Sequence, residues 1–178
     1  VGAALFPLVR DESFTVDAGG LGFRLRVRLV GGRVVEASFS RAREQPDTSG
    51  LSPAALRARS LLLRHFERGD ADLASVPVDL SAVPPFQRRV LEALHQTRPG
   101  DTVTYGDLAA MAGEPGAARA VGTAMRRNPI PIIVPCHRVV RAATGDPGGY
   151  SGLGGVATKK SLLRLERGQR TLSPHATP

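Results

Sequence analysis

Asn128-Pro129-Ile130-Pro131-Ile132-Ile133-Val134-Pro135-Cys136-His137-Arg138-Val139 contains the only cysteine of the chain. An apolar run leads into Cys136, and two basic side chains follow it. Such a cysteine has two readings. As a thiol it is a small hydrophobe, among the residues most often buried. As a thiolate it is a nucleophile, and a neighbouring imidazole or cation lowers its pKa. The sequence on either side of it decides between them.

Immediately upstream, Ala117 to Arg127 has helical composition and stops at Asn128-Pro129. Small residues dominate it (Ala118, Ala120, Gly122, Thr123, Ala124), and Arg119 is the one long polar side chain before Arg126. Thr104 caps a shorter helix, Tyr105 to Met111, and Gly113-Glu114-Pro115-Gly116 turns the chain between the two. Two short helices around a Gly-bearing turn fit a helix-turn-helix. Small residues on the second helix let a backbone approach another surface closely, either a neighbouring helix or a nucleic-acid groove with Arg119 projecting into it. Further upstream, Phe86, Val90, Leu91 and Leu94 mark one face of a helix from Pro85 to Gln96.

The first 80 residues read differently. Phe23, Leu25, Val27 and Leu29 alternate with Arg24, Arg26 and Arg28, the pattern of a half-buried strand with a solvated face. Gly31-Gly32 is a hairpin turn, and Val35, Ala37 and Phe39 continue on the return strand. Ser52-Pro53 opens a helix with Leu56, Leu63 and Phe66 at helical spacing, and Gly69 ends it. Val76 to Leu80 adds a short strand. The expected organisation is a small α/β domain over 1–80, a linker over 81–85, a helical domain over 86–167 and a frayed tail over 168–178. Downstream of Cys136, a Gly-rich loop holds Tyr150 and Ser151, and a closing helix runs from about Val156 to Arg167. Glu166 lies in the last turn of that helix, beside the negative end of the dipole, where an anion needs a partner.

Composition limits the function classes. The chain of 178 residues is 42% hydrophobic and 22% charged, ordinary for a globular protein. No run reaches the roughly 18 apolar residues of a membrane span. Val1 to Pro7 lacks the basic start of a signal peptide. One cysteine forms no internal disulfide and no multi-cysteine zinc site, so a reducing, cytoplasmic location without a bound metal is expected. The net charge is +8, and it is uneven: 11 basic and 10 acidic residues over 1–85, but 11 against 6 over 86–166. An excess concentrated in the half that holds Cys136 points to a polyanionic partner such as nucleic acid, although a basic surface also serves solubility.

Pro135-Cys136-His137-Arg138-Val139, with Asn128-Pro129 before it, resembles the active-site signature of the O6-alkylguanine-DNA alkyltransferases. The resemblance extends back through Ala118-Arg119-Ala120-Val121-Gly122, Thr104-Tyr105-Gly106 and Pro85-Phe86-Gln87. It extends forward to Gly149-Tyr150-Ser151-Gly152 and to Lys159 through Glu166. It implies an α/β N-terminal domain, with a small antiparallel sheet and a helix, followed by an all-α C-terminal domain with a winged helix-turn-helix. It also implies direct-reversal repair, in which an alkyl group leaves the O6 oxygen of guanine, or O4 of thymine, in duplex DNA and stays on the protein. Carried over by position, Cys136 is the single-use acceptor. His137 is its base through a water, oriented by Glu166. Asn128 braces the link between recognition helix and active site. Tyr105 helps rotate the nucleotide out and donates to the leaving guanine. Arg119 fills the vacated place in the stack, with Ala118, Ala120, Gly122, Thr104 and Arg126 on the DNA side. Val139, Tyr150 and Ser151 line the base pocket. No cofactor is implied. The expected partner is double-stranded DNA carrying O6-alkylguanine, bound by a monomer, with cooperativity on DNA left open.

Two departures from the family pattern stand out. The loop after Tyr150 is about two residues longer than the family's, and Arg127 stands where a Gly is frequent. The competing readings are a lesion binder without chemistry, a cysteine hydrolase and a methylation-sensing transcription factor. The first is disfavoured by the presence of Cys136, the second by the basic helical half, and the third by the lack of a visible regulatory domain.

Overall fold

The computed structural model describes residues 9–41, 48–141 and 147–168. The Val1–Pro7 stretch, most of the Arg41–Gly50 loop, the start of the Gly-rich loop and the tail beyond Gly168 lie outside them. No described helix is long and apolar enough to cross a membrane.

The first half is a three-stranded antiparallel sheet, β1 (Asp11–Asp17), β2 (Arg24–Val30) and β3 (Arg33–Ser40), in the order β1-β2-β3. One face packs inward through Phe14, Val16, Leu25, Val27 and Leu29. The arginines of β2 lie on the other face, where Arg28 pairs with Asp11 at 2.7 Å and Arg24 with Asp17 at 3.2 Å. The strand arginines thus form an exposed sheet face. β1 was not read from the sequence, because only Phe14 and Val16 alternate between its charged ends.

Two details of register also differ from the expectation. A bulge between Arg28 and Leu29 shifts the β2–β3 pairing, so Val34 rather than Val35 enters the core. The helix α1 (Pro53–Arg68) is rotated from its expected orientation: Ala55, Ala58, Leu62 and His65 are buried, while Leu56 is 46% exposed. Small residues let this helix sit close on the sheet, so size rather than hydrophobicity picks its buried face. Ser52 caps α1 by accepting from Ala55 N, and its hydroxyl donates to Glu12, tying the helix start to β1. The expected strand near Val78 is a single parallel bridge to Val34.

The second half contains α2 (Pro85–His95), β4 (Val103–Thr104), α3 (Tyr105–Met111), α4 (Ala118–Arg126), β5 (Val139–Val140) and α5 (Gly155–Glu166). It is not purely helical. β4 and β5 pair in parallel, Val103 with Val139 and Thr104 with Val140, which ties the start of α3 to the segment just past Cys136. Strands of two residues carry no periodicity that a sequence reading can detect. Thr104 and Asp107 form a reciprocal capping box at the start of α3.

The two halves share one continuous apolar core. Ala37 N donates to Pro129 O at 2.9 Å, so β3 is bonded to the chain entering the Cys136 stretch. Gly69, at φ +75°, closes α1 in the left-handed region, and a Cβ there would overlap the backbone carbonyl of Leu165. Glycine is therefore required twice at that position, for its φ and for the contact with α5.

Candidate active site

Cys136 opens a single turn of 3-10 helix, Cys136–Arg138. The approach is tight: Val134 N donates back to Ile130 O at 2.9 Å, and Ile132 is held at φ +74°, a costly conformation for a β-branched residue. Asn128 fixes this turn from within. Its Nδ2 donates to Val134 O at 2.8 Å and its Oδ1 accepts from Ile130 N at 3.0 Å. The side chain thus bonds main-chain groups on both sides of the bend, and it also hydrogen-bonds Cys136.

The thiol is nearly buried, at 6% exposure. Burial pushes its pKa up, and the Asn128 hydrogen bond and the Lys159 charge oppose this without reversing it. The expectation that neighbouring cations lower the pKa therefore fails for the resting protein. Desolvation dominates, and the thiol keeps its proton until a base takes it. Burial, the first reading of a lone cysteine, is met, and the residue also faces a cleft.

Behind Cys136 lies a buried relay. His137 is fully buried, and its Nε2 lies 2.7 Å from Glu166 Oε1. With Nε2–H donating to the carboxylate, Nδ1 keeps the free lone pair, and Nδ1 is buried with no hydrogen-bond partner among the described residues. Arg138, 2% exposed, forks onto the same carboxylate, with Nε 3.0 Å from Oε2 and Nη2 2.9 Å from Oε1. Gly100 N donates to Oε2 at 3.1 Å. Burial pushes the Glu166 carboxyl up, but the charge of His137 and the hydrogen bonds of His137 and Arg138 outweigh it and hold the group well below the usual carboxylate range. The expected need of Glu166 for a partner is met several times over.

Sequence reasoning missed three members of this cluster. Arg138 was seen only as a basic neighbour of Cys136. His65 reaches in from α1, fully buried, with Nε2 3.4 Å from Glu166 Oε1. Lys159, 1% exposed, donates to the carbonyls of Val139 (2.6 Å), Pro147 and Gly149, pinning the loop before Tyr150 to β5. None of the three carries a local signal, because each is buried by elements distant in sequence. Ligand atoms of His65, His137 and Glu166 lie within 4.8 Å of one another. A dication there would sit against the Arg138 guanidinium, which already occupies both carboxylate oxygens, so the geometry suits a hydrogen-bond relay better than a metal centre.

In front of Cys136 opens a cleft of about 780 Å³. Tyr105, Ala118, Arg119, Gly122, Arg126, Tyr150 and Ser151 all line it. Gly122 faces the Tyr105 ring across α3 and α4, and a Cβ there would meet that ring at an ordinary contact distance of 3.9 Å. Burial raises the Tyr105 pKa, so its hydroxyl is a donor at neutral pH. The Tyr150 pKa is likewise pushed up by burial, and its hydroxyl has no hydrogen-bond partner among the described residues. A second recess of about 190 Å³ continues past Cys136 between Asn128, Pro131, Tyr150 and Gly152.

Three of the expected residues do not line the cleft. Val139 is fully buried in the apolar core, and only its carbonyl serves the site, by accepting from Lys159. Thr104 spends its side chain on the α3 cap. Ala120 is exposed on α4 but does not line the cleft.

The family model described as "6-O-methylguanine DNA methyltransferase, DNA binding domain" matches residues 85–168. The methylated-DNA–protein-cysteine methyltransferase of Mus musculus is 41% identical over 149 residues, covering 79% of this chain and 70% of that protein. The protein of the same name from Mycobacterium bovis is 41% identical over 137 residues, covering 76% and 78%. Among solved structures, Mycobacterium tuberculosis OGT in complex with DNA aligns with a TM-score of 0.66 at 34% identity, covering 88% of this chain and 93% of that one. The O6-methylguanine-DNA methyltransferase of Pyrococcus kodakaraensis aligns with a TM-score of 0.58 at 29% identity, covering 88% and 97%. A buried thiol facing a basic cleft, with an imidazole–carboxylate relay behind it, agrees with these likenesses, and the chain belongs to the methylated-DNA–protein-cysteine methyltransferases.

Proposed function

We propose that this protein repairs O6-alkylguanine in duplex DNA by moving the alkyl group onto Cys136, once per molecule. The observation that carries the reading is the placement of Cys136 between the cleft on one side and the His137–Glu166 relay on the other. The thiol proton passes to His137 Nδ1 through a water. Glu166, bonded to Nε2, stabilises the imidazolium that forms. The thiolate sulfur then forms a bond to the alkyl carbon as the bond from that carbon to guanine O6 breaks. Tyr105 donates to the departing purine, and the proton taken from the thiol finally balances the one guanine gains. Cys136 is left as a thioether. Cleaving that bond needs chemistry that none of these residues supplies, so each molecule acts once.

The substrate oxygen lies within the base stack, so the nucleotide must rotate out, at a cost of a few kcal/mol. Arg119, on the cleft face of α4, fills the gap that it leaves. The α3–α4 pair is a helix-turn-helix whose second helix enters the groove, with Ala118 and Gly122 allowing close approach and Arg126 near the backbone. The β4–β5 segment takes the place of the wing. The protein binds as a monomer, and O4-alkylthymine is a secondary substrate of the same site.

The test is intact-mass spectrometry after incubation with a duplex carrying O6-methylguanine. One methyl should appear on each molecule, at Cys136, and Cys136→Ser should gain none. A methyl located elsewhere, or repeated turnover, contradicts the proposal.

A further inference from the structure

The recess beyond Cys136 draws its walls from both halves of the molecule. Met125, Pro131, Tyr150 and Gly152 come from the second half, while Phe39 comes from β3 in the first. Three contacts fix the Phe39 ring. Two residues before it, Ala37 N is bonded to Pro129 O at 2.9 Å, which locks β3 against the segment that leads to Cys136. Its ring packs edge-on against Phe23 at 5.0 Å, and Phe23 packs against Phe66 at 5.8 Å, deeper in the first-half core. It also meets the Tyr150 ring edge-on at 6.4 Å. A ring held this way is a rigid wall, since moving it disturbs either the core or Tyr150.

We propose that Phe39 forms the far wall of the recess that receives the transferred alkyl group, and that it thereby sets the largest group the protein accepts. This rests on the alkyl-transfer reading above. The recess holds about 190 Å³ and opens beside the sulfur. For scale, a cavity of about 150 Å³ holds a benzene ring. The recess is half open and also carries Arg126, Asn128 and Ser151, so a methyl or benzyl group fits beside Phe39 while a fused bicyclic group is pressed against its ring. Gly152 contributes to the same limit from the loop side. A Cβ there would overlap the Tyr150 ring, so glycine allows the ring to lie against that loop and keep its position opposite Phe39. The first half of the chain thus determines substrate range while leaving the transfer chemistry to the second.

The experiment measures single-turnover transfer from duplexes carrying O6-methyl-, O6-benzyl- or O6-(naphthylmethyl)guanine, with intact mass confirming the product on Cys136. In the wild type, methyl and benzyl groups transfer and naphthylmethyl is slow. Phe39→Ala and Phe39→Leu should raise the naphthylmethyl-to-methyl rate ratio by at least about tenfold, and Phe39→Trp should lower the benzyl-to-methyl ratio by about tenfold, the scale of steric discrimination in a pocket. Ratios cancel any general loss of folded protein, and Leu and Trp keep a large side chain in place should the Ala variant fail to fold. Ratios that stay within about twofold of wild type in all variants that fold, with methyl transfer still observed, mean that Phe39 only packs and overturn the inference. Absence of methyl transfer in the wild type instead overturns the function it rests on.

Discussion

Acid should destabilise this protein through His65 well before it reaches the Glu166 carboxylate. The His65 ring is fully buried, edge-on to Phe66 at 5.9 Å, and lies 3.4 Å from Glu166 Oε1. Burial pulls its pKa down from 6.5 to about 4; the charges of His137 and Arg138 act in the same direction, and those of Glu166 and Asp70 oppose them. The unfolded chain therefore binds a proton near pH 6.5 that the folded chain refuses until about pH 4. The stability that His65 contributes is complete above the unfolded value and is lost as pH falls towards the folded one. At about 1.4 kcal/mol per tenfold change in proton affinity, that loss is about 2 kcal/mol at pH 5 and about 3 kcal/mol in full.

Glu166 acts in a different window. Its carboxyl is held below the usual range, so its contribution is present above the ordinary value of 4.5 and is lost only under stronger acid. The assay is urea denaturation followed by circular dichroism at pH 7, 6 and 5, for wild type and His65→Phe. The wild type should lose about 2 kcal/mol more than the variant between pH 7 and pH 5. His95, whose pKa burial also lowers, contributes to both proteins and cancels in the comparison. Equal losses in the two proteins would refute the assignment to His65, whatever the stability of the variant at pH 7.

Two further outcomes follow from the cleft and the relay. Arg138→Met leaves the Glu166 carboxylate buried without its fork, so stability at pH 7 should fall by about 3 to 5 kcal/mol in urea denaturation, with Arg138→Lys recovering only part of it. A loss under about 1 kcal/mol would show that His137 and Gly100 suffice as partners. Arg119→Ala should slow repair of duplex DNA by about tenfold or more and leave reaction with free O6-benzylguanine much closer to wild type, because only the duplex requires an extruded base. Equal slowing of both reactions counts against a role in the stack.

How far the sequence could be read depends on the range of the signal. Thr104, Ser52 with Pro53, and Gly69 are local punctuation, so the helices they bound were found within a residue or two. The anion placed at the wrong end of α5 showed that Glu166 needs a partner, and the resemblance of the motifs to a known family, not their spacing, implied that the partner is His137. Strand β1 was missed because pairing with β2, through Asp11–Arg28 and Asp17–Arg24, holds a segment with little alternation of its own. Leu56 and Val35 were placed on the wrong faces. Close helix–sheet packing selected Ala55 and Ala58, and a bulge shifted the register of β3.

The sequence by itself determined the helices of the second half and the order of its motifs, which are properties of neighbours along the chain or of spacing within one helix. The grouping of Cys136 with His137, Glu166 and Tyr105 came from the likeness of those motifs to a known family. Only the tertiary structure decided the state of the thiol, because desolvation depends on what surrounds Cys136 and outweighs the cations beside it. It alone placed His65, Arg138 and Lys159 in the site and moved Val139 into the core. It also brought Phe39 to the recess across 97 residues of sequence from Cys136, through one backbone hydrogen bond and a series of ring contacts that no local pattern encodes.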